Sequence, residues 1–240
     1  MLRSWHIRRE LRKQMKGRDG LSALDAGSGF GQYVWFLSSL NKSWKIKGVD
    51  VKDEQIADCN QFFTRMKRGD RVLFEKADLT RFHEPETYDM ILSVDVMEHI
   101  EEDEAVFRNF FAAMKPAGLL MISTPSDQGG SDAHDHEEEG ISGFIDEHVR
   151  DGYNVEDITQ KLTRAGFSQI EARYTYGTPG KISWKLSMKY PILMVNFSKL
   201  LFVVLPVYFL LVYPFCFVLN MMDVRMKHVS GTGLMVMARK

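Results

Sequence analysis

The chain has 240 residues, 45% of them apolar and 26% charged, with 31 Lys and Arg against 32 Asp and Glu for a net charge of -1. That length and composition suit one full hydrophobic core with elaborations, and the near-zero charge excludes a dedicated nucleic-acid binder. Two distant cysteines, Cys59 and Cys216, exclude a disulfide framework or a CxxC metal site, so a reducing compartment is expected and, without a signal-peptide apolar region, a cytosolic-facing protein.

Residues 1–16 set Trp5, Ile7, Leu11 and Met15 among Arg3, Arg8, Arg9, Arg12, Lys13 and Lys16, the pattern of a basic amphipathic helix. Two roles remain open for it: a packing helix with a solvated face, or a helix that covers a cofactor or lies on a membrane surface. Leu21 to Leu24 then reads as a buried strand and Tyr33 to Leu40 as a helix, joined by Asp25-Ala26-Gly27-Ser28-Gly29-Phe30-Gly31. Glycines permit positive φ and close ligand approach, and a helix N-terminus offers free N–H groups to an anion. Asp25 would accept from an ammonium. The glycine spacing lacks the third well-placed glycine of a dinucleotide fingerprint.

This stretch resembles the DxGxGxG signature of class I S-adenosylmethionine-dependent methyltransferases. The resemblance implies that Asp25, Gly27, Ser28, Gly29 and Gly31 wrap the methionine part of S-adenosyl-L-methionine, with Arg3 a candidate for its carboxylate. The bland alternative is a glycine turn that binds nothing.

Lys45 to Asp50 reads as a second strand, ending about 20 residues past the loop, where a βαβ unit sets an acid beside a ribose. Asp50 is the ribose candidate, with Val51 next to it; a helix N-cap is the structural alternative. After a helix over Val51 to Met66 and a strand over Val72 to Lys76, Ala77-Asp78-Leu79 occupies the place where the resembling family accepts from the adenine amino group, which implies Asp78 for that role and Leu79 beside the ring. Tyr88 to Ile100 is the next strand and its exit; in the resembling family the carboxyl end of this strand floors the cofactor pocket, which implies Ser93 for that place. A helix over Glu101 to Met114, a turn at Lys115-Pro116-Ala117-Gly118 and a fifth strand to Pro125 continue the family pattern, as does Ala165-Gly166-Phe167 between a helix from Asn154 and a sixth strand, Ser168 to Tyr176.

Asp95, Glu98 and His99 form a DxxEH cluster similar to the ExxEH of ubiquinone-pathway O-methyltransferases, which implies a divalent cation, Mg²⁺ by the hardness of the ligands; a structural Glu–His pair is the alternative. The charged segment 126–152 follows the fifth strand, at the sheet edge where ligands bind in open α/β folds. His134, His136 and His148 there are general-base candidates.

The seventh strand is expected only at Gly233 to Arg239. Before it, Leu200 to Leu219 carries no charge and is long enough to span a bilayer. A seventh strand returning to the same sheet requires an even number of crossings or none, so a helical hairpin dipping into one leaflet is expected, with Pro206 near its bend and Pro191 and Pro214 breaking its arms. Lys181, Lys185, Lys189, Lys199, Arg225 and Lys227 would border it at anionic headgroups. A buried helical pair or dimer interface in a soluble enzyme is the alternative.

The expected architecture is a doubly wound, Rossmann-like α/β fold with a seven-stranded sheet, an antiparallel last strand and an apolar helical insertion before it. The expected divisions are an N-terminal helix at 1–19, a methyltransferase domain at 20–180 and 229–240, and the insertion at 181–228, contacting membrane through residues 190–222. Methyl transfer to a lipophilic small molecule follows from the resemblance, first a quinone or phenolic lipid, at O or C. A non-catalytic cofactor-binding scaffold at the membrane is the alternative.

Overall fold

Ser22–Ala26 (β1) lies inside a seven-stranded sheet, parallel to Lys45–Asp50 (β2) on one side and Tyr88–Val94 (β4) on the other. Both faces of β1 are covered, which is why four of its five residues are buried and its sequence does not alternate. The computed structural model describes residues 2–129 and 149–240. Within them the strand order is β3-β2-β1-β4-β5-β7-β6, with Val72–Lys76 as β3, Met114–Pro125 as β5, Ser168–Thr175 as β6 and Gly233–Arg239 as β7. The first five strands are parallel, and β7 runs antiparallel to both β5 and β6. The expected doubly wound sheet with an antiparallel last strand is therefore present.

Helices cover both faces. On one lie Leu2–Gln14 (α1), Gln32–Leu40 (α2) and Asp53–Arg65 (α3), contributing Ile7, Leu11, Val34, Leu37 and Phe63 to one core cluster. On the other lie Asp103–Ala113 (α4) and Val155–Arg164 (α5), contributing Val106, Phe107, Phe110, Ile158 and Leu162 to a second. Local chemistry marks the ends: α3 opens on Asp53 and Glu54 and closes on Arg65, matching the helix dipole, and Asn154 caps α5 by accepting from the Asp157 N–H at 2.7 Å.

Two local expectations are corrected. The α4 helix stops at Ala113, and the turn expected over Lys115 to Gly118 is an irregularity inside β5: Met114 pairs with Tyr88, and pairing resumes at Leu119 opposite Met90. Ala117, at φ 59°, takes the kink.

The segment between β6 and β7 folds as a helical hairpin. Its first arm is Thr178–Trp184 (α6), a π-helical turn at Lys185–Lys189 and Tyr190–Phe197 (α7); its second is Leu205–Arg225 (α8). Pro206 lies near the bend, as expected, whereas Pro191 and Pro214 do not break the arms. Pro206 and Pro191 stand in the first turns of α8 and α7, where no main-chain donor is needed, and α8 continues through Pro214. The bend falls at Ser198–Val204, around the 3₁₀ turn Lys199–Val203. The Tyr208 hydroxyl donates to the Leu186 carbonyl at 2.7 Å, clamping the arms together.

Candidate cofactor site

The strand order reverses between β1 and β4, and beyond the carboxyl ends of those strands an open α/β sheet leaves a crevice for a ligand. The loop after β1 is built there. Gly27 and Ser28 both donate to the Val49 carbonyl at 2.9 Å, hanging the loop on the end of β2, and Gly31 donates back to Ser28 at 2.8 Å. Gly27 has φ 79°, and a Cβ on it would come within 2.2 Å of a Val96 methyl. Gly29 also has positive φ, 48°, yet a Cβ there would meet nothing within 4 Å, so the loop leaves open space over its middle glycine.

Asp50 ties this loop to β2. Its Oδ2 accepts from the Gly29 N–H at 2.9 Å, and its Oδ1 accepts from Val51 at 2.8 Å and Lys52 at 3.2 Å. It is not the cap of α3, since Lys52 holds that position without a side-chain bond. Val51 is exposed beside it.

Asp25 is 1% exposed and its Oδ2 has no hydrogen-bond partner. Burial, together with the nearby Asp50 charge, pushes its carboxyl up to about 7, although the Val34 N–H at the start of α2 pulls the other way. Ser28 and Ser93 are also buried with hydroxyl oxygens lacking partners. Buried polar atoms are normally paired, so three such groups around one glycine loop mark a place prepared for a polar ligand.

Asp78 stands at the end of β3, exposed. Its Oδ1 accepts from the Thr80 N–H at 2.9 Å and the Thr80 hydroxyl at 2.7 Å, bonds that hold its carboxyl below the usual carboxylate range. The Leu79 side chain packs in the core with Phe82, so its ring-facing role is not visible in its side-chain packing.

The cluster Asp95, Glu98 and His99 is not gathered. Asp95 pairs with Arg3; Glu98 is 1% exposed and accepts from the Thr124 hydroxyl at 3.1 Å; His99 is exposed. Among the described residues no three His, Cys, Asp or Glu side chains are placed to hold a metal ion, which corrects the Mg²⁺ expectation. His134, His136 and His148 lie outside the described residues.

Arg3 reaches the site because α1 folds across this edge of the sheet. Around it stand two residues that the sequence pattern did not single out. Tyr176, at the end of β6, interacts with Arg3 and Ser123, and Tyr33, in the first turn of α2, lies within the fields of Arg3 and Asp25; burial raises both phenols. A tyrosine just past the glycine loop and another ending a strand are the signals that could have found them.

With this geometry in place, a family model described as a methyltransferase domain matches residues 18–166. The chain belongs to this methyltransferase family. It is 30% identical over 156 residues to a phosphoethanolamine N-methyltransferase of Triticum aestivum, a match covering 65% of this chain and 29% of that protein. It is 26% identical over 177 residues to the erythromycin 3''-O-methyltransferase of Saccharopolyspora erythraea, covering 68% and 57%. The chain thus spans under a third of the length of the wheat relative. Among solved structures, phosphoethanolamine N-methyltransferase 2 of Haemonchus contortus, in complex with phosphomonomethylethanolamine and S-adenosylhomocysteine, aligns with a TM-score of 0.64 at 20% identity, over 98% of this chain and 53% of that one. An S-adenosylmethionine-dependent methyltransferase of Mesorhizobium loti aligns with a TM-score of 0.62 at 18% identity over the full length of both. These structural likenesses establish the methyltransferase fold of the chain, helices before the last strand included.

Proposed function

We propose that this methyltransferase-family chain binds S-adenosyl-L-methionine at the glycine loop and methylates a lipophilic acceptor delivered from a membrane surface. The observation that carries the reading is Asp25, a fully buried carboxyl with one oxygen left unpaired beside a loop held open at Gly29. A protein with no cationic ligand for that site would bear its desolvation cost without return, which weighs against a glycine turn that binds nothing.

The chemistry supplied by a bound S-adenosyl-L-methionine is an electrophilic methyl group on a sulfonium. Asp25 would accept from the amino group, with the Ser28 hydroxyl and the loop N–H groups beside it; Asp50 would accept from ribose hydroxyls with the lone pairs its backbone bonds leave free; Asp78 would accept from the adenine amine; Ser93 would line the floor. Arg3, tethered by Asp95, is placed to meet a carboxylate. Tyr33 and Tyr176, grouped around Arg3, would position an acceptor.

The membrane part rests on α8. It is the single described helix long and apolar enough to cross a bilayer, with a mean hydropathy of 1.8 and only 6% of its apolar window buried. Val207, Leu210, Leu211 and Phe215 face outward at 60% exposure or more, and Phe197, Leu200 and Val203 do so at the bend. Both hairpin ends return to one sheet, so the hairpin enters and leaves on one side, lying at a shallow angle in one leaflet with Lys185, Lys189 and Lys199 reaching headgroups. On this reading the protein is a monotopic or peripheral one on the cytoplasmic side.

Within the lipophilic class we infer a quinone or phenolic lipid first, on the DxxEH resemblance and the hairpin; no metal enters that argument. The relatives' names point to phosphoethanolamine and a macrolide, so lipid amines and glycosylated lipids belong in the same screen. Titration with S-adenosylhomocysteine and NADH in parallel tests the cofactor, micromolar binding of the former alone being expected. Transfer of labelled methyl into fractionated membrane lipids then identifies the acceptor. Loss of vesicle binding in Leu210→Glu/Leu211→Glu, with cofactor affinity kept, tests the hairpin.

A further inference from the structure

Beside the last turn of α8 lies a cleft of about 380 Å³, formed with the outer side of α1, a volume in the range of small-molecule sites. It shares no lining residue with the glycine-loop site. Four of the residues that line it are arginines, Arg8, Arg9, Arg12 and Arg225, with Trp5 and Met221 completing its apolar wall and no carboxylate among the lining residues. Among the described residues none of the four arginines forms an ion pair. Arg9 donates to the Val224 carbonyl at the helix end, Arg8 and Arg12 lie over the Phe36 ring at 5.2 and 5.1 Å, and the buried Nε of Arg8 has no acceptor.

Four arginine side chains thus line one cleft with no anion among its lining residues, and the desolvated Arg8 Nε–H without a partner costs free energy. An arginine fork matches the oxygens of a phosphate, which would supply the missing acceptor. The position narrows the source of that phosphate. The cleft is at the end of α8 opposite the bend, about 30 Å along a 21-residue helix, and the outward apolar side chains run up to Met222 beside it. On a hairpin lying at a shallow angle in one leaflet, this end of α8 is where the chain passes from the headgroup level back to the sheet, and Trp5, edge-on to Phe217 at 5.1 Å, suits that boundary.

We propose that the cleft between α1 and the end of α8 is a binding site for the phosphate of an anionic phospholipid headgroup. The proposal rests on the membrane reading of the hairpin and adds a specific anchor to it. Because α1 also carries Arg3, a lipid seated there would hold the helix that crosses the cofactor site.

The test is binding of the full chain to vesicles of phosphatidylcholine alone and of phosphatidylcholine mixed with phosphatidylglycerol, for the wild type, Arg12→Gln/Arg225→Gln and Lys185→Gln/Lys189→Gln. Arg12 and Arg225 are exposed, so their replacement leaves the core intact, and unchanged thermal melting and S-adenosylhomocysteine affinity verify this. The expected result is a preference of the wild type for the anionic mixture that the arginine pair reduces about tenfold more than the lysine pair. Equal losses from the two pairs would reveal diffuse surface charge and overturn the site while leaving the membrane reading in place, as would wild-type binding without anionic preference. No binding to either vesicle would overturn both. Tight binding of inorganic phosphate by the wild type without vesicle preference would assign the cleft to a soluble phosphate and overturn the lipid source.

Discussion

His6 Nε2 lies 2.8 Å from Oδ1 of Asp223, and both side chains are buried, so the helix that carries Arg3 over the cofactor site is pinned to the second arm of the apolar hairpin. The other oxygen of Asp223 accepts from the Gly180 N–H at 2.9 Å, and His228 Nε2 donates to the Asp223 carbonyl at 2.8 Å. Three chain segments distant in sequence thus meet on one residue. His6→Ala should cost about 2 kcal/mol, since it removes a hydrogen bond to a buried carboxylate, and lower the midpoint of thermal melting by about 4–8 °C. It should also weaken S-adenosylhomocysteine binding through loss of α1 docking. A melt unchanged from the wild type would show that α1 is held elsewhere.

Asp25 trades stability for a ligand site. Its carboxyl is raised from an ordinary 3.8 to about 7, so the folded chain keeps a proton that the unfolded chain has lost. The associated stability is complete below the unfolded value and is lost as pH rises through about 7, amounting to ~4 kcal/mol at most. Asp25→Asn should remove that slope: at pH 8 the ligand-free variant should melt higher than the wild type, while binding S-adenosylhomocysteine at least a hundredfold more weakly by the loss of a charge-assisted bond, roughly 3 kcal/mol. Equal melting of the two proteins across pH 5–8 would contradict this account.

Cofactor affinity should itself depend on that proton. The amino group of S-adenosylhomocysteine is cationic across the range and needs the carboxylate, so affinity should fall about tenfold per pH unit below 7 and level off above it. Calorimetry in buffers of different ionisation enthalpy would detect the proton released on binding at pH 6. A flat profile from pH 5.5 to 8 would remove Asp25 from the ammonium role.

Gly27 and Gly29 separate backbone strain from crowding. Both have positive φ, but only at Gly27 does a Cβ strike a neighbour, Val96 at 2.2 Å. Gly29→Ala should cost about 1–2 kcal/mol for its left-handed backbone alone, and Gly27→Ala about 1–3 kcal/mol more for overpacking. Trimming the neighbour in Gly27→Ala/Val96→Ala should recover part of the second cost and none of the first. Denaturant melts of the three variants would measure this, and equal costs for the two single changes would disprove the packing argument.

Much of the architecture was legible in the sequence because it is set by local rules. Alternation, buried apolar runs and capping residues place the strands and helices, and the run from Asp25 to Gly31 at a strand-to-helix turn, with acids at 50 and 78, orders the candidate site along the chain. Two prolines of the insertion misled: Pro191 falls in a first turn, where it interrupts no main-chain bond, and α8 carries Pro214 through its interior. The DxxEH cluster misled for a different reason. Spacing brings its acids near one another, but a side chain settles by whichever partner the fold delivers, and Arg3 and Thr124 reached Asp95 and Glu98.

The order of elements and the glycine loop between an acid-ended strand and a helix can be read from the chain alone, since both follow from backbone sterics and hydrophobic periodicity over a few residues. The contacts that join distant segments come from the folded packing: Asp50 turned onto the Gly29 N–H, Tyr176 beside Arg3, His6 on Asp223, and four arginines around one cleft at the end of α8. Such contacts depend on the packing of whole helices against a sheet, and no local pattern encodes the distance between residues more than 200 positions apart, as His6 and Asp223 are.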